Sequence, residues 1–283
     1  MAPSKLLLPV LPLTESHLPQ AQQLSTAAGW PYRLSDWQFA HSLGQGYALE
    51  DDGKLVGTAM LWPYGDDFCS MGMIIMAGEY QGFGLGSRLV DTLLESAGSR
   101  SAFLNATDAA INLYSRRGFV VNGLLHQHQG KPIIKEDDLC KKGNVVQASI
   151  DDLPMMKTLD HIALGMPRTD LIDSLSERGQ LFVIRDNSDI TGYVICREFG
   201  HGYVIGPVIA QTVEDARCLI DAALVKVANQ FVRIDVLSDS GLSPWLDRRG
   251  LQCVGNATPM YKGQRPYQSR GTHLFALCSQ SLG

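Results

Sequence analysis

The sequence predicts two tandem copies of one mixed α/β (α+β) domain. Three observations predict it. A strand, a glycine-rich loop and a helix follow one another in the first half, the order of elements recurs in the second half, and 283 residues suit two domains of ordinary size.

The elements follow in order. Leu6, Leu7, Leu8, Val10 and Leu11 read as a first strand; the run is too short for a signal-peptide core and has only Lys5 ahead of it. A helical region follows around Leu18 and Leu24, then an apolar strand, a polar turn and a second strand over 46–57. The apolar run 71–76 reads as a buried strand. Behind it, Leu85, Leu89, Val90, Leu93 and Leu94 recur at helical spacing. Residues 107–119 read as a short helix and a strand. Thr107 or Asp108 caps the start, Arg116 and Arg117 suit the negative end, and Gly118 takes the left-handed stop. In the second half, residues 181–192 repeat the pattern of 46–57, with Gly57 and Gly192 about 135 residues apart. Arg248-Arg249-Gly250 repeats Arg116-Arg117-Gly118, and the region 153–163 repeats the early helix. The seam is expected at the polar stretch Lys141-Lys142-Gly143-Asn144, giving domains 1–142 and 143–283.

Between strand and helix lies Gln81-Gly82-Phe83-Gly84-Leu85-Gly86. Glycines there let successive backbone N–H groups face one hollow, and the helix start adds partial positive charge, which makes a site for phosphate or pyrophosphate. The dinucleotide fingerprint fails, because Ser87 or Leu89 stands where its third glycine belongs, and no Gly-Lys-Ser/Thr exists for a P-loop. Gln81, Gly84 and Gly86 fit Gln/Arg-x-x-Gly-x-Gly/Ala, and there the chain resembles the GCN5-related N-acetyltransferase (GNAT) family. Leu113-Tyr114, with Gly118-Phe119 after three residues, resembles that family's second coenzyme A segment. The departure is Thr107, where many relatives carry Asn. The second half also resembles the second domain of tandem members.

The resemblance implies a mostly antiparallel central sheet flanked by helices in each copy. It implies acetyl-CoA as co-substrate, held by Gln81, Gly82, Phe83, Gly84, Leu85, Gly86 and Ser87, with Thr107 and Asn112 nearby. A backbone N–H among Ile74, Ile75 and Met76 would bind the thioester carbonyl, and Tyr114 would protonate the departing thiolate. Trp30, Tyr32 and Trp37 would wall the acceptor pocket, and the same aromatics read equally as packing between the first helices and the sheet. Asp36 is the expected base, ahead of Glu79. The implied reaction is acetyl transfer to a primary amine, of a small molecule first, by direct attack on the thioester. A protein lysine or N-terminus as acceptor, and a coenzyme A-binding module without turnover, stay open. Arg168, Asp235 and His161 are conceivable substrate contacts, though a structural role is the stronger reading of each.

The second copy lacks the glycine loop. Thr212 and Asp215 resemble a capping box, and Glu214 and Asp215 put negative charge where pyrophosphate would sit, so no cofactor is expected there. A net charge of −5 without a basic run disfavours nucleic acid as partner, and no apolar stretch reaches about 18 residues, so no membrane span is expected. Six scattered cysteines without a Cys-x-x-Cys pair argue against metal and for reduced thiols in the cytoplasm. His126 and His128 read as an exposed polar strand face. The assembly is expected to be a monomer or homodimer.

Overall fold

One sheet runs through both halves of the chain in a computed structural model that describes residues 8–140, 144–187, 189–267 and 271–283. The first half holds β1 (Val10–Pro12), α1 (Leu18–Ala27), α2 (Leu34–Ser42), β2 (Gln45–Asp51), β3 (Lys54–Tyr64), β4 (Phe68–Met76) and α3 (Leu85–Ala97). It continues with β5 (Ser101–Ala106), α4 (Ile111–Ser115), β6 (Val120–Val121) and β7 (Leu125–Gly130). The second half opens with β8 (Val145–Gln147), α5 (Leu153–Leu164), α6 (Thr169–Ser176), β9 (Gly179–Asp186), β10 (Asp189–Phe199) and β11 (Gly202–Ala210). It ends with α7 (Val213–Lys226), β12 (Val232–Leu237), α8 (Ser243–Arg248), β13 (Gln252–Lys262) and β14 (His273–Leu277). The expected seam residues Lys141, Lys142 and Gly143, and Leu6 and Leu7 of the expected first strand, lie outside the described residues.

The strands run β1-β2-β3-β4-β5-β13-β7-β12-β14-β11-β10-β9-β8, with β6 on β13. All neighbours are antiparallel except β4 with β5 and β11 with β12, each joined through a helix. That is the mostly antiparallel mixed sheet with flanking helices expected of two GNAT copies. The helix α3 buries Leu85, Leu89, Val90 and Leu93 in one core, and α7 buries Leu219, Ile220, Ala223 and Leu224 in its counterpart.

The halves exchange strands. From the first half, β7 pairs along its length with β12, from Val232↔Gly130 to Leu237↔Leu125. From the second, β13 lies on β5, from Thr258↔Ala106 to Lys262↔Ala102. The expected seam divides the chain but not the sheet.

Two expectations are corrected. His126 and His128 do not form an exposed face: they sit on β7 in mid-sheet, and His128 is 0% exposed, held by Leu251 O at 2.8 Å and Ser243 Oγ at 3.0 Å. The thiols are not all reduced: Cys140 and Cys218 form a disulfide, Cα–Cα 5.0 Å. The segment after β7 folds back onto α7, where Cys140 N–H donates to Asp221 Oδ2 at 3.0 Å, so two cysteines 78 residues apart meet. Cys69, Cys196, Cys253 and Cys278 are free.

Buried charges are paired. Arg168 grips Asp160 through Nε and Nη2 at 2.9 and 2.7 Å, and the Tyr193 hydroxyl donates to the same carboxylate. Arg249 grips Asp221 in the same way. Arg168 thus has a structural role, and His161 is exposed on α5. Among the described residues no helix is long and apolar enough to cross a membrane, and no cluster of His, Cys, Asp and Glu is placed to hold a metal.

The exchange predicts that residues 1–140 and 144–283, expressed separately, lose the cooperative unfolding of the full chain, because each half then lacks a strand internal to the shared sheet. A sharp denaturant transition for either half alone would contradict the pairing.

Candidate functional site

The site begins where two strands part. β4 and β5 pair at Phe68↔Ser101, Cys69↔Ala102 and Ser70↔Phe103, then diverge. Beyond Ser70 no strand among the described residues pairs with that edge of β4. On the other edge the register slips between Thr58↔Ile75 and Met60↔Gly72, a β-bulge at which Met73 takes φ +50°. Thr58 Oγ1 donates to Met73 O at 2.8 Å and holds the bulge. The parting leaves a cavity of about 180 Å³, lined by Met71 to Ile74 on one side and by Leu104, Asn105, Thr107 and Tyr114 on the other.

At the N-terminal end of α3, Gly82 and Gly84 have φ +81° and +77°, and a Cβ on either would meet nothing within 4 Å. These positions need glycine for the left-handed backbone, and the space before them is open. Gly84 is the N-cap of α3, and no side chain caps this helix. Gln81 Nε2 donates to Met76 O at 3.1 Å and ties the loop to the end of β4. Leu85 is buried in the core, so it offers backbone only, while Gly86 and Ser87 are half-buried. The corresponding end of α7 is closed: Thr212 Oγ1 accepts from Asp215 N–H at 3.1 Å and donates to its carboxylate at 2.7 Å.

The second half is also filled at the wedge. β11 and β12 pair only at Tyr203↔Val232 and Val204↔Arg233 before they part. β14 enters the gap, pairing with β11 at Val208↔Ala276 and with β12 at Asp235↔Leu277 and Val236↔Ala276.

Tyr114 is 6% exposed and packs edge-on to Phe119, ring centroids 5.8 Å apart. Burial pushes its phenol up to about 12, with Arg117 pulling weakly the other way. Thr107 lines the cavity and makes no side-chain cap. Asn112 is exposed and is not among the lining residues. Ile75 is buried and Met76 half-buried, and neither lines the cavity, whereas Ile74 does.

Of the expected acceptor wall, Trp30 and Tyr32 line the cavity. Trp37 stands behind them in the core, its indole N–H donating to Ser25 Oγ at 3.1 Å. Asp36, the expected base, is not among the lining residues. Its carboxylate accepts from Arg33 N at 2.9 Å, from the Arg33 guanidinium at 3.3 Å and from Gly200 N at 3.0 Å. It starts α2 and ties it to the turn after β10. Glu79 is exposed and paired with Lys54 at 2.8 Å.

The rest of the wall comes from residues that spacing does not single out. Phe199, Arg233, Gln280 and Ser281 line the same cavity, and Gln127 of β7 joins them. Asp235 is fully buried and holds Arg233 through Nε and Nη2 at 2.9 and 3.1 Å; Gln280 Nε2 donates to it at 3.0 Å. Residues after β14 pass under the wedge: Ser70 Oγ donates to Ser281 O, Tyr64 OH to Leu282 O at 2.6 Å, and Asn105 Nδ2 to Gln280 O at 2.7 Å. Gly72 has no room for a Cβ, which would lie 2.8 Å from Ser281 Cβ. No local signal joins these residues, because the exchanged sheet brings them together.

Comparisons with known proteins agree with this geometry. The family model described as Acetyltransferase (GNAT) family matches residues 12–119, and the one described as Acetyltransferase (GNAT) domain matches residues 156–276. An uncharacterized N-acetyltransferase of Bacillus subtilis is 26% identical over 283 residues, covering 97% of this chain and 98% of the relative. A solved structure from Pyrococcus horikoshii shares the fold at a TM-score of 0.80 and 16% identity, covering 98% of this chain and 96% of that one. A tandem GNAT protein from the clavulanic acid biosynthesis pathway does so at 0.61 and 12% identity, covering 93% and 99%.

Asp36→Asn is expected to cost about 1–3 kcal/mol in denaturant unfolding, because buried donors lose a charged acceptor. Unchanged stability would show that these contacts do not hold α2.

Proposed function

The chain belongs to the GCN5-related N-acetyltransferase family, with one copy of the fold in each half, and we propose that it transfers the acetyl group of acetyl-CoA to the primary amine of a small molecule, by direct attack on the thioester. The observation that carries this reading is the contrast between its two wedges. The first is open and faces an uncapped helix start with two left-handed glycines. The second holds β14 and has a capped helix. One cofactor site per chain, in the first half, follows from that contrast.

The residues fit the group. The backbone of residues 82–87 receives the pyrophosphate, aided by the positive end of α3 and by the open space before Gly82 and Gly84. Acetyl-CoA supplies an activated thioester. The unpaired edge of β4 at the bulge, around Ile74, donates a backbone N–H to the thioester oxygen as charge develops there. A donor of this kind contributes about 3–4 kcal/mol. Tyr114, which burial keeps protonated, hands its proton to the departing thiolate. The amine must arrive neutral. No carboxylate is among the described residues that line the cavity, so its proton leaves to water rather than to Asp36 or Glu79.

Calorimetric titration with acetyl-CoA should give one site per chain. Gly84→Asp should abolish it, since Asp tolerates the left-handed backbone but brings negative charge to the pyrophosphate position. Two sites, or none in the parent protein, would contradict the assignment. Tyr114→Phe should lower kcat at least about 10²-fold with acetyl-CoA affinity kept. Because the Tyr114 proton is held to about 12, its ionisation should cause no loss of rate up to about pH 10. A Tyr114-dependent fall in rate near neutral pH would exclude it as the acid.

A further inference from the structure

We propose that the acceptor is an amine that also carries a carboxylate, an amino acid or a compound of that class, and that Arg233 of the second half binds the carboxylate. The proposal rests on the transfer reading above and deepens it.

Arg233 is the single charged side chain among the described residues that line the cavity. Asp235 takes its Nε and Nη2, while Nη1 makes no hydrogen bond among the described residues. The guanidinium sits over the Phe199 ring, 5.7 Å from Cζ to centroid, which fixes its plane. A planar cation held by one buried carboxylate, with a donor left over, is a ready partner for a second carboxylate. Asp235 itself is unavailable to a ligand: it is fully buried, and Arg233 and Gln280 fill its oxygens.

The same lining argues against a polycationic acceptor. Trp30, Tyr32 and Phe199 offer aromatic walls, but no carboxylate stands among the lining residues to balance an ammonium. A cation next to Arg233 and without a counter-ion is disfavoured, which favours the neutral amine that attack requires. The amine end must reach the thioester at the β4 edge, and Arg233 takes the other end. The tail residues Gln280 and Ser281, with Gln127, supply neutral hydrogen-bonding groups between the two.

The test compares matched amines on the full chain with acetyl-CoA. The pairs are alanine with ethylamine and phenylalanine with phenethylamine, with phenylalaninamide as an uncharged control. The carboxylated member should be preferred at least about 10²-fold in kcat/KM, and the amide should behave like the decarboxylated amine. Arg233→Gln should reduce the preference to a few-fold, mainly through KM for the amine. Because that change leaves Asp235 without its cation, Arg233→Gln combined with Asp235→Asn serves as the folded variant, with acetyl-CoA binding as the check. Equal or better acetylation of the decarboxylated partner, or acetylation of neither member of any pair by a protein that binds acetyl-CoA, overturns the carboxylate assignment. Failure of the parent protein to bind acetyl-CoA is read separately and overturns the transfer reading instead.

Discussion

Two parallel strands that pair for only a few residues and then part create the constraint on which the rest of the structure depends. Each parting exposes backbone N–H and C=O groups in the middle of a sheet, where unsatisfied polar groups are costly. The groups must be met by more chain or by a ligand. Between β11 and β12 the chain meets them itself, with β14. Between β4 and β5 no strand among the described residues does so, and β4 carries its bulge at Met73 on the opposite edge, against β3. The same architectural device thus becomes a closed structural unit in one half and an open slot in the other.

The strand exchange makes the closed half part of the open one's site. With β7 on β12 and β13 on β5, the strands of the second half continue the sheet directly beside those of the first. That position brings Phe199 from the end of β10 and Arg233 from β12 to the cavity, and lets residues 278–283 run beneath the wedge. The close approach of Ser281 to Gly72 shows how tightly the tail and β4 are fitted. The second copy has a capped helix and a filled wedge, and in this arrangement it supplies part of the cavity wall.

Charge is distributed with the same division of labour. The buried carboxylates Asp36, Asp152, Asp160, Asp221 and Asp235 each face an arginine. Pairs of this kind cost desolvation to bury, and removing one partner costs far more than the pair contributes, so they hold the architecture in a single arrangement. None of the five lines the cavity. What lines it is aliphatic, aromatic, amide and hydroxyl groups, one arginine, and a tyrosine whose proton burial retains.

The sequence by itself determined whatever depends on residues near one another in the chain. Gly82 and Gly84 mark a left-handed turn before a helix, the spacing of Leu85, Leu89, Val90 and Leu93 sets the buried face of that helix, and Thr212 with Asp215 marks the capped counterpart. The recurrence of the elements gave two copies of one domain, and Tyr114, Trp30 and Tyr32 fell where the cavity is. Tertiary structure alone decided which strands became neighbours. Asp36 looked like a free carboxylate among aromatics, but Arg33 and the distant Gly200 take its oxygens. Trp37 belongs to the same short segment as Tyr32, yet the helix turns it into the core. The Cys140–Cys218 disulfide, the central position of His128 and the presence of Arg233 in the cavity follow from packing across the seam, and the filling of the second wedge by β14 from pairing within the second half. Periodicity reports which face of an element is buried. It carries no information about the element that covers it, because that choice is made by packing and backbone pairing between segments far apart in the chain.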